Sequence, residues 1–94
     1  MEIFIKEHET KGYAIAQENE KKAGAMTYSI AGEGLIIIDH TEVEPEYNGN
    51  NLGKQMLDKI VEMAREKNVK IIPLCPFAAA MFKKTDDIKD VLKI

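Results

Sequence analysis

The sequence holds one cysteine, no tryptophan and only three prolines in 94 residues. A lone Cys75 closes no intramolecular disulfide and excludes every zinc module built on four cysteines. The other soft metal ligands, His8 and His40, lie far apart in no recognised ligand spacing, so no metal site is expected. Positive charge is in deficit as well. Thirteen Lys plus Arg against sixteen Asp plus Glu give a net charge of −3, which offers no overall pull toward nucleic acid or an anionic membrane. Long hydrophobic runs are missing too. The most apolar stretch, Ile71 to Phe82, is interrupted by Pro73 and Pro76 and is too short to span a bilayer. The N-terminus, Met1-Glu2-Ile3-Phe4-Ile5-Lys6, lacks the charged-then-apolar layout of a signal peptide. With a single thiol and no export signal, the cytoplasm is the expected location.

What is present suits one small globular domain over residues 1–94, with 45% hydrophobic and 31% charged residues. The first half reads as strands: Ile3 to Ile5, Tyr13 to Gln17, Ala23 to Ile30, and Leu35 to Ile38. The polar segments Lys6 to Gly12, Glu18 to Lys22 and Ala31 to Gly34 read as turns between them. Leu35-Ile36-Ile37-Ile38 is apolar on both faces, which predicts a covered, central strand. After it the period changes. Leu52, Met56, Leu57, Ile60, Met63 and Ala64 recur at helical spacing, and Asn68 is a suitable stop. Val69 to Leu74 reads as a further strand and Ala78 to Lys84 as a short helix. A last turn over Ile88 to Leu92 is expected to be capped by Asp86 or Asp87. The order β-β-β-β-α-β-α-α implies an α+β (α/β) mixed sheet. An antiparallel meander leads into a right-handed βαβ unit with parallel strands, followed by C-terminal helices.

Between the apolar strand and the long helix runs Asp39-His40-Thr41-Glu42-Val43-Glu44-Pro45-Glu46-Tyr47-Asn48-Gly49-Asn50-Asn51-Leu52-Gly53-Lys54. Glycine and asparagine accept positive φ, so this loop can turn its N–H groups toward one point and join them to the free donors of the helix N-terminus. A phosphate or pyrophosphate is the natural occupant. The spacing is not that of a P-loop, because Gln55 follows Lys54 where Ser or Thr would hold magnesium. Read without a ligand, the same residues are a Gly/Asn turn into an amphipathic helix. Further on, Pro73 has no N–H to give a ladder, so the parallel pair is expected to separate there and form a slot.

Ile38-Asp39-His40-Thr41-Glu42-Val43, Tyr47 to Lys54, and Pro73-Leu74-Cys75-Pro76-Phe77 together resemble the GNAT superfamily of acyl-CoA-dependent N-acetyltransferases, in its short single-domain form. The resemblance covers about residues 35–84. Against the superfamily loop [QR]-x-x-G-x-[GA], Asn48 takes the Gln/Arg place, Asn51 the first Gly and Gly53 the second. The resemblance implies that N–H groups of Asn48, Gly49, Asn50, Asn51, Leu52, Gly53 and Lys54 cradle the pyrophosphate of acetyl-CoA. It implies also that the strand ending at Val43 binds the pantetheine arm. The reaction implied is acetyl transfer to an amine on a small molecule or a protein. The alternative on the same fold is a non-catalytic acyl-CoA-binding or protein-interaction module.

Three residues are candidates for catalysis. Larger members often use a tyrosine to protonate the departing thiolate, and no tyrosine follows Tyr47 here. Cys75 is the leading substitute, because Pro76 favours the first helical position and makes Cys75 the N-cap, where a thiol is drawn toward thiolate. It is able to accept the acetyl group, protonate CoA, or simply pack. His40, just past the apolar run, is a candidate base or thiol partner. Glu42 is a candidate base or amine-binding carboxylate. A thiol redox protein lacks its resolving cysteine here.

Overall fold

The computed structural model describes residues 1–93. Four strands, β1 (Glu2–His8), β2 (Lys11–Glu18), β3 (Lys21–Gly32) and β4 (Leu35–Val43), form an antiparallel meander. A 3₁₀ turn (Pro45–Tyr47) and helix α1 (Leu52–Lys67) then carry the chain to β5 (Lys70–Pro73), which pairs with β4 in parallel. Helix α2 (Pro76–Lys84) and a 3₁₀ segment (Asp86–Val91) follow. The sheet order is β1-β2-β3-β4-β5.

Local chemistry explains where these elements depart from the sequence reading. The strands run into the polar segments, because solvent-facing Lys6, Glu7 and Lys11 keep their ladder bonds while their side chains stay wet. Only Asn19 and Glu20 turn between β2 and β3. Both have positive φ (50° and 68°), the two-residue geometry that matches strand twist. The terminal segment is 3₁₀, and neither Asp86 nor Asp87 caps it. Thr85 holds the N-cap position without a side-chain bond, and Asp86 binds Lys89 at 2.7 Å.

β4 is internal to the sheet but covered on one face only. Ile36 and Ile38 are buried, whereas Leu35 and Ile37 are half-exposed. The single core lies between the sheet and the helices. It gathers Ala14, Met26, Tyr28 and Ile38 from the strands, Met56, Leu57 and Ile60 from α1, and Ala78 and Phe82 from α2. The half-buried Phe4, Tyr13, Ile15 and Ile37 lie outside that cluster.

Tyr28 anchors the core with its hydroxyl, which donates to Glu7 Oε2 at 2.6 Å. Burial, reinforced by this hydrogen bond to a carboxylate, pushes its phenol well above the ordinary range. A raised pKa means stability that is complete below the unfolded value, about 10, and lost as pH climbs past it. Tyr28→Phe is therefore expected to lower stability at neutral pH by about 1–2 kcal/mol. It should also flatten the alkaline decline seen in urea midpoints above about pH 10.

Candidate active site

The site begins where the β4–β5 ladder ends. Register runs from Leu35 opposite Lys70 to Ile38 opposite Pro73, while β4 continues five residues further to Val43. The Ile38 carbonyl accepts two bonds at once, from the N–H of Leu74 and from that of Cys75, each at 3.1 Å. The chain then turns away into α2, with Pro76 at its first turn.

The sequence located this opening correctly but gave it the wrong cause. Lys70 N–H bonds to the Gly34 carbonyl and Leu74 N–H to that of Ile38, so alternate residues 70, 72 and 74 point their N–H groups at β4. Pro73 points the other way, toward the edge where the Ile71 carbonyl accepts Lys93 N–H at 2.9 Å. Its missing donor costs the β4–β5 ladder nothing. The departure at Cys75–Pro76 opens the gap.

Parity also fixes what β4 presents to that gap. Glu44 N–H bonds to the Ala23 carbonyl at 2.8 Å, so Glu42 and His40, opposite Ala25 and Thr27, turn their backbone groups toward β3. An irregularity beside Asp39 shifts the phase, and Thr41 and Val43 turn their N–H and C=O groups to the unpaired side. Among the described residues these groups meet no partner across the gap, which leaves them to an amide-bearing arm.

At one end of the gap is the Gly/Asn loop. Gly49 (φ 87°) and Asn51 (φ 61°) both adopt positive φ, and no side chain caps α1. The N–H groups of Gly49, Asn51, Leu52, Gly53 and Lys54 have no partner among the described residues. Those of Asn48 and Asn50 are used within the turn, bonding to the Pro45 and Tyr47 carbonyls at 3.2 and 3.3 Å. The cradle expected over Asn48 to Lys54 is thus narrower by two donors. No acidic side chain lies in the first turn of α1 to compete with a phosphate, and the Lys54 ammonium is engaged by Asp58 at 2.8 Å. A pyrophosphate fits these unpaired donors. Gly53 has a second reason to be glycine: a Cβ there would lie 2.5 Å from Cζ of Phe77, whose ring covers this position.

At the other end, Cys75 is the N-cap of α2 and is buried. Its Sγ lies 3.1 Å from Thr41 Oγ1 on β4. The thiol is flanked by two exposed apolar side chains, Leu74 (65% exposed) and Phe77 (39%). His40 is not brought to the thiol. It shares a sheet face with Thr27, whereas Thr41 shares that of buried Met26, and adjacent strand residues point oppositely. The His40 side chain is 69% exposed, with Glu42 at 4.0 Å. Glu42 is engaged by Lys22 at 2.8 Å, and this hydrogen bond and charge hold its carboxyl below the ordinary range. A carboxylate so held is a poor base but a ready partner for a cation. Thr41 was missed from sequence because its contact joins positions on separate elements.

A parallel pair splayed beside an uncapped helix N-terminus, with strand backbone between, suits an elongated phosphorylated ligand. The family model for GCN5-related N-acetyl-transferase matches residues 12–91, and the chain belongs to that family. The solution structure of a "GCN5-like putative N-acetyltransferase" from Staphylococcus aureus is similar at 41% identity, over 96% of this chain and 87% of that one, with TM-score 0.71. The fold is shared with ribosomal-protein-alanine N-acetyltransferase from Brucella melitensis, at 15% identity over 82% of this chain and 62% of that one (TM-score 0.69). It is shared also with an acetyltransferase from Clostridium acetobutylicum solved with acetyl-CoA, at 24% identity over 80% and 56% (TM-score 0.63). No curated protein matches the chain by sequence. Among the described residues no helix is long and apolar enough to cross a membrane.

Proposed function

We propose that this chain transfers the acetyl group of acetyl-CoA to an amine, using the gap between β4 and β5 as its active site. The observation that carries this reading is the pair of hydrogen bonds that the Ile38 carbonyl accepts from Leu74 and Cys75, which marks where the chain leaves β4 and sets a thiol at the mouth of the gap. Unpaired N–H groups from Gly49 and Asn51 to Lys54 hold the pyrophosphate. The free backbone of Thr41 and Val43 holds the pantetheine amides as an added strand would.

The amine nitrogen forms the new N–C bond as the thioester C–S bond breaks. Cys75 is the proton donor to the departing sulfur, the role of the absent tyrosine. Among the described residues the thiol's polar contact is the Thr41 hydroxyl and not a base, which favours a donor over an activated nucleophile. His40, on the solvent side of β4, takes the proton that the amine loses. Glu42 beside it attracts the cationic form of the acceptor before that proton is lost. The exposure of His40 and Glu42 suits an amine on a protein or an extended molecule.

Release of free CoA thiol from acetyl-CoA, followed over a panel of amines, tests the reading. Amine-dependent release is expected. Tight CoA binding without release would instead identify the non-catalytic module. An acetylated Cys75, trapped without amine and detected by mass spectrometry, would replace the proton-donor role with a covalent one.

A further inference from the structure

We infer that Thr41 is the positioning residue for the Cys75 sulfur, through the hydroxyl–thiol contact that joins β4 to the start of α2. The inference rests on the reading of Cys75 as the group that meets the departing CoA.

Cys75 reaches its place from the end of β5, and its backbone N–H is already fixed on the Ile38 carbonyl. The side chain still has its own rotation to settle. The contact recorded for Sγ is Thr41 Oγ1, at 3.1 Å, from the strand on the opposite wall of the gap. The two side chains come from positions 34 apart, so the contact exists only when the gap is assembled.

A threonine hydroxyl serves both states of the sulfur. It has one proton to donate and lone pairs to accept with. Toward the thiol it is able to accept the S–H. Once the thiol has given its proton to CoA, only the hydroxyl has a proton left, and it turns to donate to the thiolate. The proton moves from Cys75 Sγ to the CoA sulfur, and solvent later restores it. A hydrogen bond to an ionised partner is roughly twice as strong as one between neutral groups. The hydroxyl therefore favours the state formed after proton transfer over the one before. Valine, of the same shape, keeps the packing and loses this preference.

The test compares Thr41→Val and Thr41→Ser in two assays. Thr41→Val is expected to lower kcat about ten-fold, with KM for acetyl-CoA nearly unchanged, because its backbone still faces the gap. Alkylation of Cys75 by iodoacetamide, which requires the thiolate, should slow by a similar factor. Thr41→Ser should restore both to within about three-fold, and urea midpoints should agree among the three proteins. Thr41→Val alkylated at the parental rate overturns the inference, as does Thr41→Ser impaired as much as Thr41→Val. Cys75→Ala with undiminished turnover overturns the underlying reading instead. Alkylation rates need no turnover, so the two failures are told apart.

Discussion

Replacing Cys75 with alanine is expected to abolish acetyl transfer while CoA binding persists. A positioned proton donor contributes about 10²–10⁴-fold to such a reaction, and kcat should fall by that order. Binding should survive because its groups are backbone donors on other elements. The N–H groups from Asn51 to Lys54 begin α1, and those of Thr41 and Val43 belong to β4. The small side chain that is lost is buried, so a destabilisation of about 1 kcal/mol accompanies the change without unfolding the protein. Isothermal titration with CoA beside steady-state turnover separates the two effects. Turnover equal to the parent would remove the thiol from the mechanism. Loss of both binding and turnover would mean that Cys75 supports the gap itself.

The second large effect concerns stability and lies at the other side of the core. Gly12 on β2 sits against the ring of Tyr28, and a Cβ at that position would overlap its Cζ and Cε1 atoms. Tyr28 has no room to retreat, being fully buried with its hydroxyl held by Glu7. Gly12→Ala is expected to destabilise by about 2–3 kcal/mol through this overpacking. For a domain of this size that lowers the melting temperature by roughly 10–20 °C. Urea unfolding checks the figure, with an unchanged slope expected if only the folded state is affected. A loss below about 0.5 kcal/mol would mean that the ring shifts more easily than its burial implies.

Much of this fold was legible because its signals are local. The 3.6-residue period from Leu52 to Ala64, the stop at Asn68 (φ 58°), and Cys75 before Pro76 all appear where the residue chemistry puts them. The conformation of the Gly/Asn loop was legible for the same reason, since Gly49 and Asn51 adopt the positive φ that their residue types accept. What escaped depends on phase and distance. Whether Pro73 faces β4 or the outer edge follows from which residues of β5 point inward, and no property of proline reveals it. His40 and Thr41 are neighbours whose roles exchange with one residue of strand phase, and an irregularity at Asp39 sets that phase. Pairings such as Thr41 with Cys75, or Gly53 with Phe77, unite segments that sequence reading treats separately. Chain order located the site, whereas strand phase decided which of its side chains meet.

The carbonyl of Ile38 acts as a pivot. Two successive N–H groups hang from one oxygen, so the point where β5 leaves β4 and the point where α2 begins are fixed to the same atom. A swing of α2 about this atom changes the width of the gap and the reach of the Cys75 sulfur in one movement. The width of the gap and the position of the thiol are thus tied to one backbone oxygen.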